Sequence, residues 1–170
     1  MRYKRMPIEV ESPEEFGYGK IQFNLSESSI EDQSLRSLGL TIPDLTLLYG
    51  EHRGSERLRN MIVEGTRLTA NDVLITGGAP GALFIISTAL LSANDHLVVV
   101  RPNYATNLET PRAIGCGVGF VDLRFERGFA IDFEEFERAI TRQTRIISVT
   151  CPHNPTGVMF SADELQCLAD

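Results

Sequence analysis

The stretch that decides the fold is VLITGGAPGALFIISTALLSANDHLVVVRPNY, residues 73–104. Its first apolar run, residues 73–76, predicts a strand, and the glycine-rich turn after it leads into an apolar helix that ends near Leu91. A second apolar run, residues 97–100, predicts the next buried strand. A strand, a helix and a strand in this order predict the repeating unit of a parallel sheet.

The same alternation continues along the rest of the sequence. Further elements are predicted as a helix ending at Ile114, a strand over 118–123, a helix from Asp132 to about Ile140, a strand over 145–150, and a helix begun by Ser161 and Glu164. We therefore expect an α/β fold, with a mainly parallel sheet and helices on both faces, over residues 46–170. The sequence is expected to stop within its last helix, as an incomplete large domain would.

Residues 1–45 and the overall composition set limits on function. Three prolines and an acidic cluster predict that residues 1–45 form an N-terminal arm. The chain is 42% hydrophobic and 23% charged, with a net charge of −7, which is typical of a globular protein and disfavours a nucleic-acid partner. No apolar run is long enough to span a bilayer and no secretory signal is visible, so we expect a cytoplasmic protein without membrane contact.

The cysteines and histidines show no metal-binding pattern. Cys116, Cys151 and Cys167 form no C-x-x-C pair, which indicates reduced thiols rather than a disulfide framework. The three histidines share no ligand spacing with one another or with the cysteines. We therefore predict no metal site.

Three loops that follow predicted strands are the candidate ligand sites, because such sheets bind ligands at the carboxyl ends of their strands. Residues 77–81, GGAPG, join a strand to a helix N-terminus, where backbone N–H groups and the helix dipole favour a phosphate; a tight turn without a ligand is the alternative. Tyr104 offers a flat aromatic surface or packs beneath its own helix. Asn154 offers an amide donor or only forms a turn before Pro155.

Four motifs in order carry a resemblance to a known family. They are Tyr49-Gly50-x-x-x-Gly54-x-x-x-Leu58-Arg59, Ile75-Thr76-Gly77-Gly78-Ala79-x-x-Ala82-Leu83, Pro102-x-Tyr104, and Pro152-His153-Asn154-Pro155-Thr156-Gly157. Together they resemble the N-terminal half of the class I/II aminotransferases, which are pyridoxal-phosphate enzymes of fold type I. The resemblance covers residues 49–170, and its most specific part is the Asn-Pro-Thr-Gly element.

The resemblance implies a role for each matched residue. Gly78 and Ala79 match the turn that holds the phosphate of pyridoxal 5'-phosphate. Tyr104 matches the aromatic residue that stacks on the pyridine ring, and Asn154 matches the amide that bonds the phenolic oxygen of that ring. Tyr49 matches a tyrosine that reaches the phosphate in the neighbouring subunit, which implies a homodimer with shared active sites.

Two positions depart from the family pattern. Pro80 stands where relatives commonly offer an N–H or a hydroxyl, and proline has no N–H to give. Glu27 falls where relatives have a glycine that contacts the substrate. A carboxylate there would favour a cationic amino acid such as arginine, as in the similar arginine oxidases and hydroxylases; a solvated arm residue is the alternative.

The chain has only two lysines, which limits the catalysis that the matched residues could perform alone. Family members use a lysine that forms a Schiff base with the cofactor, and neither Lys4 nor Lys20 matches it, so that lysine is expected beyond residue 170. The implied function is the N-terminal portion of an aminotransferase acting on an α-amino acid, inactive by itself. The alternatives are an oxidase, hydroxylase or lyase on the same scaffold, an NADP-binding module using Arg101, or a non-catalytic fragment.

Overall fold

The computed structural model describes residues 1–4, 13–25, 30 and 32–170. The chain divides into two compact units. The C-terminal unit holds residues 77–170 together with the start of the chain, and the N-terminal unit holds the remaining residues up to Thr76. None of the helices in the described ranges is long and apolar enough to cross a membrane.

The described residues contain six α-helices, three β-strands and three short 3-10 turns. The helices are α1 (Pro13–Phe16), α2 (Glu56–Val63), α3 (Gly78–Leu90), α4 (Ala105–Ile114), α5 (Phe133–Ala139) and α6 (Ala162–Ala169). The strands are β1 (His96–Arg101), β2 (Gly117–Asp122) and β3 (Thr144–Ser148). The 3-10 turns are Tyr18–Lys20, Ala70–Asp72 and Phe125–Arg127.

The three strands form one parallel sheet with β1 in the centre, in the order β2-β1-β3. The connection through α4 runs from β1 to β2, whereas the connection through α5 runs back past β1 to β3. Because crossovers between parallel strands are right-handed, these opposite directions place α4 and α5 on opposite faces of the sheet. The sheet is therefore part of an α/β fold with helices on both faces, as the sequence predicts.

Burial of β1 on both faces explains its continuous apolar sequence. Val98 and Val100 are fully buried and cluster with Phe136 of α5, and Leu165 and Leu168 of α6 pack against the same cluster. Val99 lies between them in the strand and points to the opposite face, where it is also fully buried. A central parallel strand buried in this way has no polar face.

The predicted helix starts are confirmed by side-chain caps. Ser55 accepts a hydrogen bond from the Leu58 N–H at the start of α2, and Asp132 accepts one from the Glu135 N–H at the start of α5. Ser161 and Glu164 form a capping box at α6. Each cap satisfies backbone donors that the first turn of a helix leaves without a partner.

One predicted strand is wrong. Residues 73–76 form no strand and join no sheet in the described part of the chain. They end the N-terminal unit, where the Ile75 N–H donates to the Arg53 carbonyl at 3.0 Å. An apolar run indicates that a segment is buried. It does not show which strand would pair with that segment in a sheet.

The N-terminal unit is organised around Arg59, which is only 7% exposed. Its guanidinium donates to the Gly54 carbonyl at 3.0 Å, to the Ala70 carbonyl at 2.6 Å and to the Glu51 carboxylate at 3.1 Å. Buried cations are tolerated when their donors are satisfied in this way. One side chain thus joins α2, the turn before it and the 3-10 turn after it.

Candidate functional site

A cavity of about 530 Å³ lies in the C-terminal unit, beside the N-terminal end of α3 and the loops that follow β1 and β3. Its volume falls within the range of small-molecule sites, about 300–1,000 Å³. The lining residues are Ala79, Pro80, Ala82, Leu83, Tyr104, Asn107, Val149, Thr150, Cys151 and Asn154. The cavity therefore collects residues from three of the predicted motifs.

The N-terminal end of α3 forms one wall. Gly77 is the N-cap and has no side chain to accept from the first turn, and Gly78 has φ +82°, a conformation that favours glycine. Ala79 and Pro80 then line the cavity within that first turn. Backbone N–H groups of a first turn have no partner within the helix, so this wall favours an anion, although Pro80 contributes no N–H.

Tyr104 forms a second wall and is fixed by its neighbour Asn103. The Asn103 Oδ1 accepts from the Tyr104 backbone N–H at 2.7 Å and from the Asn107 side chain at 2.8 Å, while Asn103 Nδ2 donates to the Val100 carbonyl at 3.1 Å. This network connects the end of β1 to the first turn of α4. It leaves the Tyr104 side chain 43% exposed at the cavity.

Asn154 lies on the loop after β3, and its side chain makes no hydrogen bond to any residue that the structure describes. The loop is closed by backbone bonds: the His153 N–H donates to the Val158 carbonyl at 2.8 Å, and the Gly157 N–H donates to the His153 carbonyl at 2.6 Å. Gly157 has φ +74°, which this turn requires. Asn154 therefore presents an unused amide to the cavity on a well-fixed loop.

His153, directly before Asn154, is buried with 1% of its surface exposed. Its Nδ1 lies 2.8 Å from the Thr156 hydroxyl, and its Nε2 is buried with no hydrogen-bond partner among the described residues. Burial lowers the pKa of His153 below its ordinary 6.5, and the carbonyl of Pro102 acts in the opposite direction. Burial thus favours the neutral form of the ring.

Tyr49 and Gly78 are not among the described residues that line this cavity. Tyr49 belongs to the N-terminal unit, is fully exposed, and lines a cavity of about 350 Å³ with Leu47 and Leu48. Glu27 lies outside the described residues. Gly78 directly precedes Ala79, which lines the cavity.

The lining residues that were not predicted as site residues include Asn107, Thr150 and Cys151. Thr150 and Cys151 lie two and three residues past the end of β3, so their place at the carboxyl edge of the sheet was a signal that could have found them. Asn107 is less obvious, because it lies within α4. Its signal was the spacing of four residues from Asn103, which places both on one helix face.

Arg101 already has partners within the sheet. Its guanidinium makes a two-pronged ion pair with Asp122, at 2.8 and 3.0 Å, and lies 4.3 Å from the centre of the Phe120 ring. Because these partners already occupy the guanidinium, the geometry gives no support to the NADP-binding alternative.

The fold and cavity define an α/β domain with a cavity, a candidate ligand site, at the carboxyl edge of a parallel sheet. The sequence model of the aminotransferase class I and II family matches residues 21–170. The chain therefore belongs to that family.

Relatives and solved structures agree with this assignment. The arginine–pyruvate transaminase of Pseudomonas aeruginosa is 33% identical over 128 residues, which cover 72% of this chain and 33% of that protein. A probable kynurenine–oxoglutarate transaminase of Saccharomyces cerevisiae is 30% identical over 171 residues, covering 91% of this chain and 36% of that protein. A structure of Thermus thermophilus aspartate aminotransferase has a TM-score of 0.68 and 32% identity, covering 72% of this chain and 34% of that one. The chain spans about a third of the length of these relatives.

Proposed function

We propose that this chain supplies part of the pyridoxal 5'-phosphate site of an aminotransferase that acts on an α-amino acid. The observation that carries the proposal is the convergence of Ala79, Tyr104 and Asn154 on one cavity. The family resemblance assigns these residues to the phosphate, the ring face and the phenolic oxygen of a single cofactor. Membership of the family supports the same cofactor.

The chemistry of the cavity fits this group. The first turn of α3 suits the phosphate, and the exposed face of Tyr104 suits an aromatic ring. Ala82, Leu83 and Val149 supply an apolar lining for the rest of the ring. When bound, pyridoxal phosphate supplies an electron sink for bonds at the amino acid's α-carbon.

The residues of this chain would bind and orient rather than transfer protons. Ala79 would donate its backbone N–H to the phosphate, and Asn154 would donate its amide N–H to the phenolic oxygen, which stabilises negative charge on that oxygen. Tyr104 would hold the ring plane. The two lysines, Lys4 and Lys20, do not line the cavity, so catalysis would need a lysine from outside these 170 residues.

Substrate and assembly are further parts of the proposal. Glu27 would select an arginine-like amino acid, and the relative named as an arginine–pyruvate transaminase is in keeping with this. Tyr49 would reach the phosphate of a second subunit in a homodimer, and its full exposure, with that of Leu47, is consistent with burial by a partner. We propose a cytoplasmic location. Free amino acids are available there as substrates, and cysteines stay reduced there.

The proposal is tested by equilibrium dialysis of the chain with pyridoxamine 5'-phosphate, whose amine cannot form an imine with Lys4 or Lys20. We expect saturable binding that Asn154→Ala weakens by about tenfold, because a hydrogen bond to a charged oxygen contributes about 1.5–3 kcal/mol. The matched control is Asn94→Ala, an exposed asparagine in a turn of the same unit. Equal weakening by both variants, or no saturable binding by the unchanged chain, would contradict the proposal.

A further inference from the structure

Two asparagines, Asn103 and Asn107, form a hydrogen-bonded pair at the start of α4. Asn107 lines the cavity, and its Nδ2 donates to the Asn103 Oδ1 at 2.8 Å. Asn103 lies between β1 and α4 and is not among the described residues that line the cavity. Asn107 is therefore the member of the pair that can contact a ligand.

Backbone partners determine which way round the two amides stand. The Val100 carbonyl, which can only accept, lies 3.1 Å from the Asn103 Nδ2, and the Tyr104 N–H, which can only donate, lies 2.7 Å from the Asn103 Oδ1. A reversed Asn103 amide would set oxygen against oxygen and N–H against N–H. The Asn103 Oδ1 is thus an acceptor, and the group of Asn107 that faces it is the NH₂.

This arrangement leaves the Asn107 Oδ1 without a donor. It accepts no hydrogen bond from any residue that the structure describes. A ligand that excludes water from this oxygen has to supply a donor in place of the water, because an amide oxygen without a hydrogen bond is costly away from solvent. The α4 side of the cavity therefore favours a donor, whereas the first turn of α3 favours an anion.

We propose that the Asn107 oxygen is a specificity-determining group that accepts a hydrogen bond from the amino group of pyridoxamine 5'-phosphate. The identity of this ligand rests on the proposed function. There the phosphate is assigned to the first turn of α3 and the phenolic oxygen to Asn154, and both of these ligand groups accept hydrogen bonds. The amino group, which is attached to the ring next to the phenolic oxygen, is the cationic donor that remains for Asn107.

The test compares pyridoxamine 5'-phosphate with 4'-deoxypyridoxine 5'-phosphate, which has a methyl group in place of the aminomethyl group. Equilibrium dialysis gives the ratio of the two dissociation constants. We expect the unchanged chain to prefer the amine by at least about fivefold, and Asn107→Leu, which has a similar size and no acceptor, to lower this preference to within about twofold. The matched control is Thr106→Val, which changes the neighbouring residue of α4 outside the described lining and should keep the preference.

The ratio separates recognition of the amino group from damage to the fold, since lost structure lowers both affinities alike. Asn103→Leu removes the acceptor that orients Asn107, so we expect it to reduce the preference as well. No preference in the unchanged chain, an unchanged preference in either leucine variant, or an equal loss of affinity for both ligands in Asn107→Leu would overturn the inference alone. If the unchanged chain binds neither compound, the proposed function fails and the inference fails with it.

Discussion

At the scale of single residues, the side chains that face the cavity depend on neighbours that do not reach it. Asn103 fixes Tyr104 through the backbone and holds Asn107 in place. His153 and Thr156 fill the interior of the loop that presents Asn154. Mutational effects on ligand binding should therefore extend to Asn103 and His153, because the orientation of a ligand-contacting group depends on the residues that hold it.

The buried His153 predicts a pH dependence of stability. Its pKa is lowered in the folded chain, so as pH falls below about 6.5 the unfolded chain takes up a proton that the folded chain resists. The free energy of unfolding should thus be highest above that pH and fall as pH decreases toward the lowered folded pKa. Urea unfolding between about pH 7 and about pH 5.5 measures this decline.

His153→Gln is the control for this prediction, because it removes the titrating group and leaves the other two histidines in place. The carboxylates of Asp95, Asp132 and Glu164 have pKa values lowered by hydrogen bonds, so they lose charge at lower pH than the window used. The variant should show a flatter pH profile than the unchanged chain. Identical slopes would show that His153 does not contribute.

At the scale of elements, Gly54 marks a close approach of two segments in the N-terminal unit. Its φ is +84°, and a Cβ there would lie 2.4 Å from the Cβ of Ile75. The turn before α2 and the extended segment at Ile75 can approach this closely only because residue 54 has no side chain. Their contact also includes the hydrogen bond from the Ile75 N–H to the Arg53 carbonyl.

Gly54→Ala should therefore destabilise the N-terminal unit by about 3 kcal/mol, from backbone strain and overpacking together. Gly50→Ala is the matched control, since a Cβ there meets nothing within 4 Å and its φ is not in the left-handed region. We expect the control to change the free energy of unfolding by less than about 0.5 kcal/mol. Equal effects in thermal or urea unfolding would contradict this account of the turn.

Helix starts and strand pairing differ in how far sequence can predict them. Ser55, Asp132 and Ser161 each bond a backbone group three residues away, so the sequence alone indicates where α2, α5 and α6 begin. A strand at residues 73–76 needs a partner far along the chain, and local apolar character says nothing of that partner. This difference explains why the helix starts are confirmed and that strand is not.

The residues that line the cavity show the same limit, because local sequence does not indicate which distant residues will lie together. Tyr104 and Asn154 were predicted because each follows a strand and matches a family motif. Asn107 lies inside a helix and was missed, because its signal, the spacing of four residues from Asn103, does not show which face of α4 borders a cavity. His153 was recognised only as part of a motif, since a lone histidine carries no local sign of its burial.

At the scale of the whole molecule, the chain has residues that face the candidate cofactor cavity but no lysine that lines it. Lys4 and Lys20 are its only lysines, and neither lines the cavity. The Arg2 N–H donates to the Ala113 carbonyl, near the end of α4 opposite to Tyr104, so the start of the chain is anchored at the far end of that helix. We accordingly expect the chain to bind the cofactor without transferring amino groups.

The most direct test is an NMR titration of the chain with pyridoxamine 5'-phosphate, following the backbone amides and the phosphorus signal together. We expect the amide signals of Ala79, Tyr104 and Asn154 to shift along one saturation curve that the phosphorus signal shares. Shifts confined to Lys4 and Lys20, or scattered over the surface without saturation, would contradict the claim that this cavity is the cofactor site.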